Sequence, residues 1–135
     1  AGNLVYEFSV YGKKTQSEFL EIFYPLRNQE VSNPIIITGK ARNVFHEGQF
    51  DVRLMGYDYP ADDPKYAGSS RVISSVNAKI IDGCDWVSDE WCDFEAVINY
   101  PSSSTGIENF LYFYSGGDGA PSSSNFLMAF PVKLK

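Results

Sequence analysis

Through residues 49–57 apolar and polar side chains alternate one by one: Phe50, Val52 and Leu54 face one way, Asp51, Arg53 and Met55 the other. A two-residue period belongs to a half-buried β-strand, and an α-helix cannot gather it onto one face. The pattern recurs along the chain. Val72, Ser74, Val76, Ala78 and Ile80 share a face in residues 71–81, Phe94, Ala96, Ile98 and Tyr100 alternate, and residues 110–114 and 126–134 form further runs. Residues 19–24 stop at Pro25, which pushes Tyr24 toward extended geometry. Pro34 opens Ile35, Ile36, Ile37 and Thr38, whose unbroken apolarity predicts a strand buried on both faces or a central one. Near the start, Leu4, Tyr6, Phe8 and Val10 alternate with Val5, Glu7, Ser9 and Tyr11 ahead of a polar connection.

Eight such runs, divided by clusters of Gly, Pro, Ser and Asp with no amphipathic helix between them, predict an all-β domain. Two antiparallel sheets packed as a β-sandwich of seven to nine strands, with no substantial helix, are preferred over a barrel. The chain has 135 residues, which suits one core. Residues 1–16 read as an additional N-terminal strand and its polar connection, residues 17–135 as the sandwich. The apolar material comes largely as rings, ten Phe and nine Tyr, which fit pleated surfaces. Eleven basic against 17 acidic residues leave a net charge of -6, a field that repels phosphate backbones and anionic lipid. No nucleic-acid partner is expected. Nor is membrane insertion, since no stretch approaches the roughly 18 apolar residues of a spanning helix.

Cys84 and Cys92 are the only cysteines and bracket Trp86 and Trp91. They read as a disulfide closing a small loop in an oxidising compartment, the alternative being two free thiols in the cytosol. A zinc site would need four ligands, and only His46 could join them. As the sole histidine, in a turn with Glu47 and Gly48, His46 also leaves most triad and acid–base schemes without a base. Asp82, Asp85, Asp89, Glu90, Asp93 and Glu95 could in principle pair for glycoside chemistry, but crowded into one loop they fit a solvated rim. An enzyme is not expected, and no cofactor. Calcium remains open at that loop and at Asp58, Asp62 and Asp63, although neither shows the spaced register of a dedicated binding loop.

Aromatic side chains form the candidate binding surface: Tyr57, Tyr59 and Tyr66 around one loop, Trp86 and Trp91 on another. Rings of this kind suit sugars and protein partners alike, and the two tryptophans could equally lid the ends of the core. Leu4, Tyr6, Phe8 and Val10 have two readings as well. They could pair at the edge of their own sheet, or complete the sheet of a neighbouring subunit and so drive self-association into a filament.

From about Leu20 onward the chain resembles the immunoglobulin-like domain of bacterial spore germination, a family of bacterial envelope lipoproteins and secreted proteins. The residues that carry this are Val31-Ser32-Asn33-Pro34 leading into Ile35 through Arg42, then Val44-Phe45-His46-Glu47-Gly48-Gln49-Phe50, Trp86 ahead of Phe94-Glu95-Ala96, Tyr100-Pro101 with Gly106, and Phe130-Pro131-Val132. The resemblance implies an immunoglobulin-like sandwich in an extracytoplasmic setting, without catalytic residues to transfer. The chain departs from that pattern in its first strand-like segment and in a longer loop after Tyr57. The expected role is a non-catalytic module contacting protein or cell-surface polysaccharide, with a filament subunit and a carbohydrate-binding module as alternatives.

Overall fold

A computed structural model describes residues 15–57, 70–101, 108–116 and 125–135, so the N-terminal strand expected at Leu4, Tyr6, Phe8 and Val10 lies outside the described residues. Among the described residues nine strands form: β1 (Thr15–Gln16), β2 (Leu20–Tyr24), β3 (Glu30–Val31), β4 (Ile35–Ala41), β5 (Gln49–Tyr57), β6 (Ser70–Ile80), β7 (Cys92–Ile98), β8 (Glu108–Tyr114) and β9 (Phe126–Leu134). The described residues contain no α-helix. The protein is all-β, as the two-residue period requires.

The strands hydrogen-bond in the order β1-β2-β4-β7-β6-β5-β8-β9-β3. Every junction is antiparallel except the last, where β3 runs parallel to β9, pairing Glu30 with Lys133 and Val31 with Leu134. The sheet is therefore mixed, not antiparallel throughout. The two-residue β3 carries too little pattern for sequence alone to show it, and its partner lies a hundred residues away along the chain. Backbone bonds anchor it: Asn28 N–H donates to the Pro131 carbonyl at 2.7 Å, and Lys133 N–H to that of Gln29 at 3.0 Å.

The sheet turns sharply at β6. This strand pairs with β5 from Ser70 to Lys79 but with β7 only at Lys79 opposite Glu95 and Ile80 opposite Phe94. Apolar residues from both sides of that turn meet in a single core, including Ile22, Ile37, Phe94 and Ile98 on one side and Phe50, Leu54, Phe113 and Phe130 on the other. Each is fully buried. Burying one such side chain contributes about 1.5–3 kcal/mol, so this inner face supplies the main drive to fold. Two positions call for glycine. At Gly39, between Ile22 and Phe94 in the ladder, an added Cβ would strike the Glu21 carbonyl oxygen and come within 3.0 Å of the Phe94 ring. Gly48 sits with Glu47 in the two-residue turn expected around His46, both at positive φ (78° and 54°), the backbone of a type I′ hairpin turn.

Of the two forms expected for β4, the central strand is found, between β2 and β7, and burial on both faces is not: Ile36 is 45% exposed, because β4 alternates buried and exposed residues and is covered on one face only. A further local expectation fails. Val72 does not share the inner face with Val76 and Ala78. A bulge at Ile73, which fits between Ser74 opposite Leu54 and Val72 opposite Met55, shifts the phase of the strand. Val72 is turned outward, 48% exposed, and Ile73 packs on the core instead. The polar connection predicted before residue 17 contains the short strand β1, paired with Glu21 and Ile22.

Candidate functional site

The outer face of β6, β5, β8 and β9 is where aromatic side chains converge. In β8, Asn109, Leu111 and Phe113 are buried, which turns Phe110, Tyr112 and Tyr114 the other way, and in β5 the same alternation turns out Asp51, Arg53, Met55 and Tyr57. Register then sets neighbours: Asp51 lies opposite Tyr114, Arg53 opposite Tyr112 and Met55 opposite Phe110. Tyr114 faces Phe126 of β9 on its other side.

These rings pack on one another. Phe110 meets Tyr57 edge-on at 5.4 Å and Tyr112 at 6.3 Å, while the Tyr57 and Tyr112 hydroxyls share a hydrogen bond of 2.6 Å across it. Phe126 lies 5.7 Å from both Tyr112 and Tyr114, whose own planes are nearly parallel at 18°. Ala129, opposite Tyr112, is fully buried although it does not belong to the central core, so it lies covered on the outer side. All five rings remain partly exposed. Each aromatic contact adds about 0.5–1.5 kcal/mol beyond burial, which makes the array a preformed surface.

A polar row borders the rings. Arg53 Nε donates to Asp51 Oδ2 at 3.0 Å, and the Ser75 hydroxyl lies 3.5 Å from Asp51 Oδ1. Asn77 stands opposite Asp51 on β6. The face thus offers apolar rings beside fixed hydrogen-bonding groups.

Of the residues singled out from sequence, only Tyr57 belongs to this array; Tyr59, Tyr66, Asp58, Asp62 and Asp63 lie outside the described residues. Trp86 and Trp91 sit apart from it, on the segment between β6 and β7. The Trp86 indole lies within 4 Å of the place a Cβ would take on Gly48, so its ring covers the hairpin turn. Trp91 is 37% exposed and carries the Arg42 guanidinium 4.9 Å above its ring. Cys84 and Cys92 form a disulfide that closes this segment.

Two acidic residues of that segment, Asp82 and Asp85, serve nearby backbone. Asp82 accepts from the N–H groups of Cys84 and Asp93, both at 3.1 Å, and Asp85 from that of Val87 at 3.1 Å. Asp89 accepts from the Asn43 amide at 2.6 Å. Among the described residues no group of three or more His, Cys, Asp or Glu could hold a metal ion. His46 is exposed at the hairpin turn, its backbone bonded to Gln49.

Composition already showed that the apolar material comes largely as rings suited to strands, but the run Phe110-Leu111-Tyr112-Phe113-Tyr114 is apolar throughout, so its outward members could not be told from its inward ones without the register. Comparison with protein-family models, with curated proteins and with solved structures found no match to this chain.

Proposed function

We propose that this chain is an extracytoplasmic, non-catalytic bacterial module of immunoglobulin-like architecture, contacting protein or polysaccharide through the outer face of β6, β5, β8 and β9. The architecture is supported by the way β6 joins two groups of strands, β2-β4-β7 and β5-β8-β9, around one core, as a strand passing between the layers of a sandwich does. The resemblance carried by residues 31–50 and 130–132 points the same way. The Cys84–Cys92 disulfide is compatible with an oxidising compartment.

The observation that carries the functional reading is the array of five partly exposed rings anchored by the Tyr57–Tyr112 hydrogen bond. Aromatic side chains gathered on an outer face, next to an arginine, have the composition of a contact surface. The test is co-sedimentation with isolated bacterial cell envelopes, with near-ultraviolet circular dichroism as the check on folding. The chain is expected to pellet with the envelopes, Tyr112→Ala to remain in solution, and Trp91→Ala to pellet as before. A chain that does not pellet, or a folded Tyr112→Ala variant that pellets equally, rejects the reading.

A further inference from the structure

We infer that the ligand of this outer face is an uncharged polysaccharide, its sugar rings lying on Tyr112 and Phe126 and its hydroxyls bonding to Arg53 and Asp51. This rests on the reading of the face as the contact surface.

Exposure is the first reason. The five rings brace one another edge-on or tilted and all stay partly exposed, so none is a desolvated anchor. Protein partners grip best where an anchor fills a desolvated pocket. A pyranose instead presents a flat set of C–H bonds, slightly positive, which complements the negative face of an aromatic ring.

Charge is the second. Arg53 and Asp51 neutralise each other, yet their side chains keep 27% and 17% of their surface accessible. What remains is a guanidinium with further N–H donors opposite Tyr112 and a carboxylate with further lone pairs opposite Tyr114. Neighbouring sugar hydroxyls each donate and accept, so such a pair matches them without any net charge on the ligand. The whole chain carries -6, which repels an acidic glycan and, equally, a second copy of itself.

The experiment is native affinity electrophoresis of the whole chain in gels holding hydroxyethyl cellulose, laminarin, dextran or galactomannan, with polygalacturonate as the anionic comparison. Retardation by at least one neutral polymer is expected. Arg53→Gln, a change at a partly exposed side chain that leaves the core intact, is expected to weaken it about tenfold, and Tyr112→Ala by a similar factor. Ile36→Thr, on the outer face of β4, should leave it unchanged. No retardation by any neutral polymer, retardation by polygalacturonate alone, or equal retardation of the wild type and Arg53→Gln overturns the inference. If Tyr112→Ala still abolishes envelope binding in those cases, the face remains the contact surface and its ligand is a protein or an acidic glycan. If it does not, both readings fall.

Discussion

The hydroxyl groups of Tyr57 and Tyr112 meet at 2.6 Å although 55 residues separate them, and the ring of Phe110 sits beside both. The bond ties the end of β5 to the middle of β8 on the outer face, where water competes for each hydroxyl. Tyr57→Phe is therefore expected to lower stability by only about 0.5–1.5 kcal/mol, measured by urea denaturation. A larger loss would mean that the bond organises the array as well as decorating it.

Beneath that face, Phe50 and Phe94 meet edge to face at 4.8 Å. Ala78 stands opposite Phe50 in the ladder and one inward position from Ile80, the partner of Phe94, so its small side chain leaves room for both rings. Ala78→Leu should cost about 1–3 kcal/mol by overpacking. Phe94→Ala should cost about 3–5 kcal/mol by leaving a cavity. Denaturation midpoints of the two variants, with unchanged slopes, are the check.

Glu47 holds a φ of 54° in the turn closed by Gly48. Asparagine tolerates that backbone better than glutamate, and Asn-Gly is the preferred pair for a type I′ turn. Glu47→Asn is expected to raise stability by about 0.5 kcal/mol, seen as a higher thermal midpoint.

Cys84 and Cys92 lie eight residues apart in sequence, and their bond restrains a short loop of the unfolded chain. The entropy of that loop corresponds to about 2.5 kcal/mol. Reduction should add two hydrogens to the measured mass, and the Cys84→Ser/Cys92→Ser variant should be less stable by that order in the absence of reductant.

Tyr100 is buried, its hydroxyl has no hydrogen-bond partner among the described residues, and burial raises its pKa above the ordinary value of 10.0. The folded state then holds the phenol proton at a pH where the unfolded state releases it. Stability attributable to this group is intact below pH 10 and declines as pH rises through the folded-state pKa. Tyr100→Phe, which removes an unpaired buried hydroxyl, should be at least as stable as the parent at pH 7 and lose less stability above pH 10, measured by denaturation at stepped alkaline pH.

How much of this was legible in advance depended on whether one residue or two strands carried the information. The alternation of Phe50, Val52 and Leu54 announced β5, and the Glu47-Gly48 pair announced its turn, since each is a local consequence of side-chain direction or backbone sterics. The exposure of Ile36 was not legible, because an apolar residue reads alike whether a neighbouring layer covers it or not. Nor was the outward turn of Val72, which a single extra residue, Ile73, decided.

The amino-acid sequence by itself determined that the chain builds strands and where most of them lie, for a two-residue period states which side of a strand is apolar. Only the tertiary structure decided that Tyr57, Phe110, Tyr112, Tyr114 and Phe126 share one outer face beside Arg53 and Asp51. Register between β5, β8 and β9 is a relation among distant segments, set when the inner residues choose a common core, and the outer residues are carried into place by that choice.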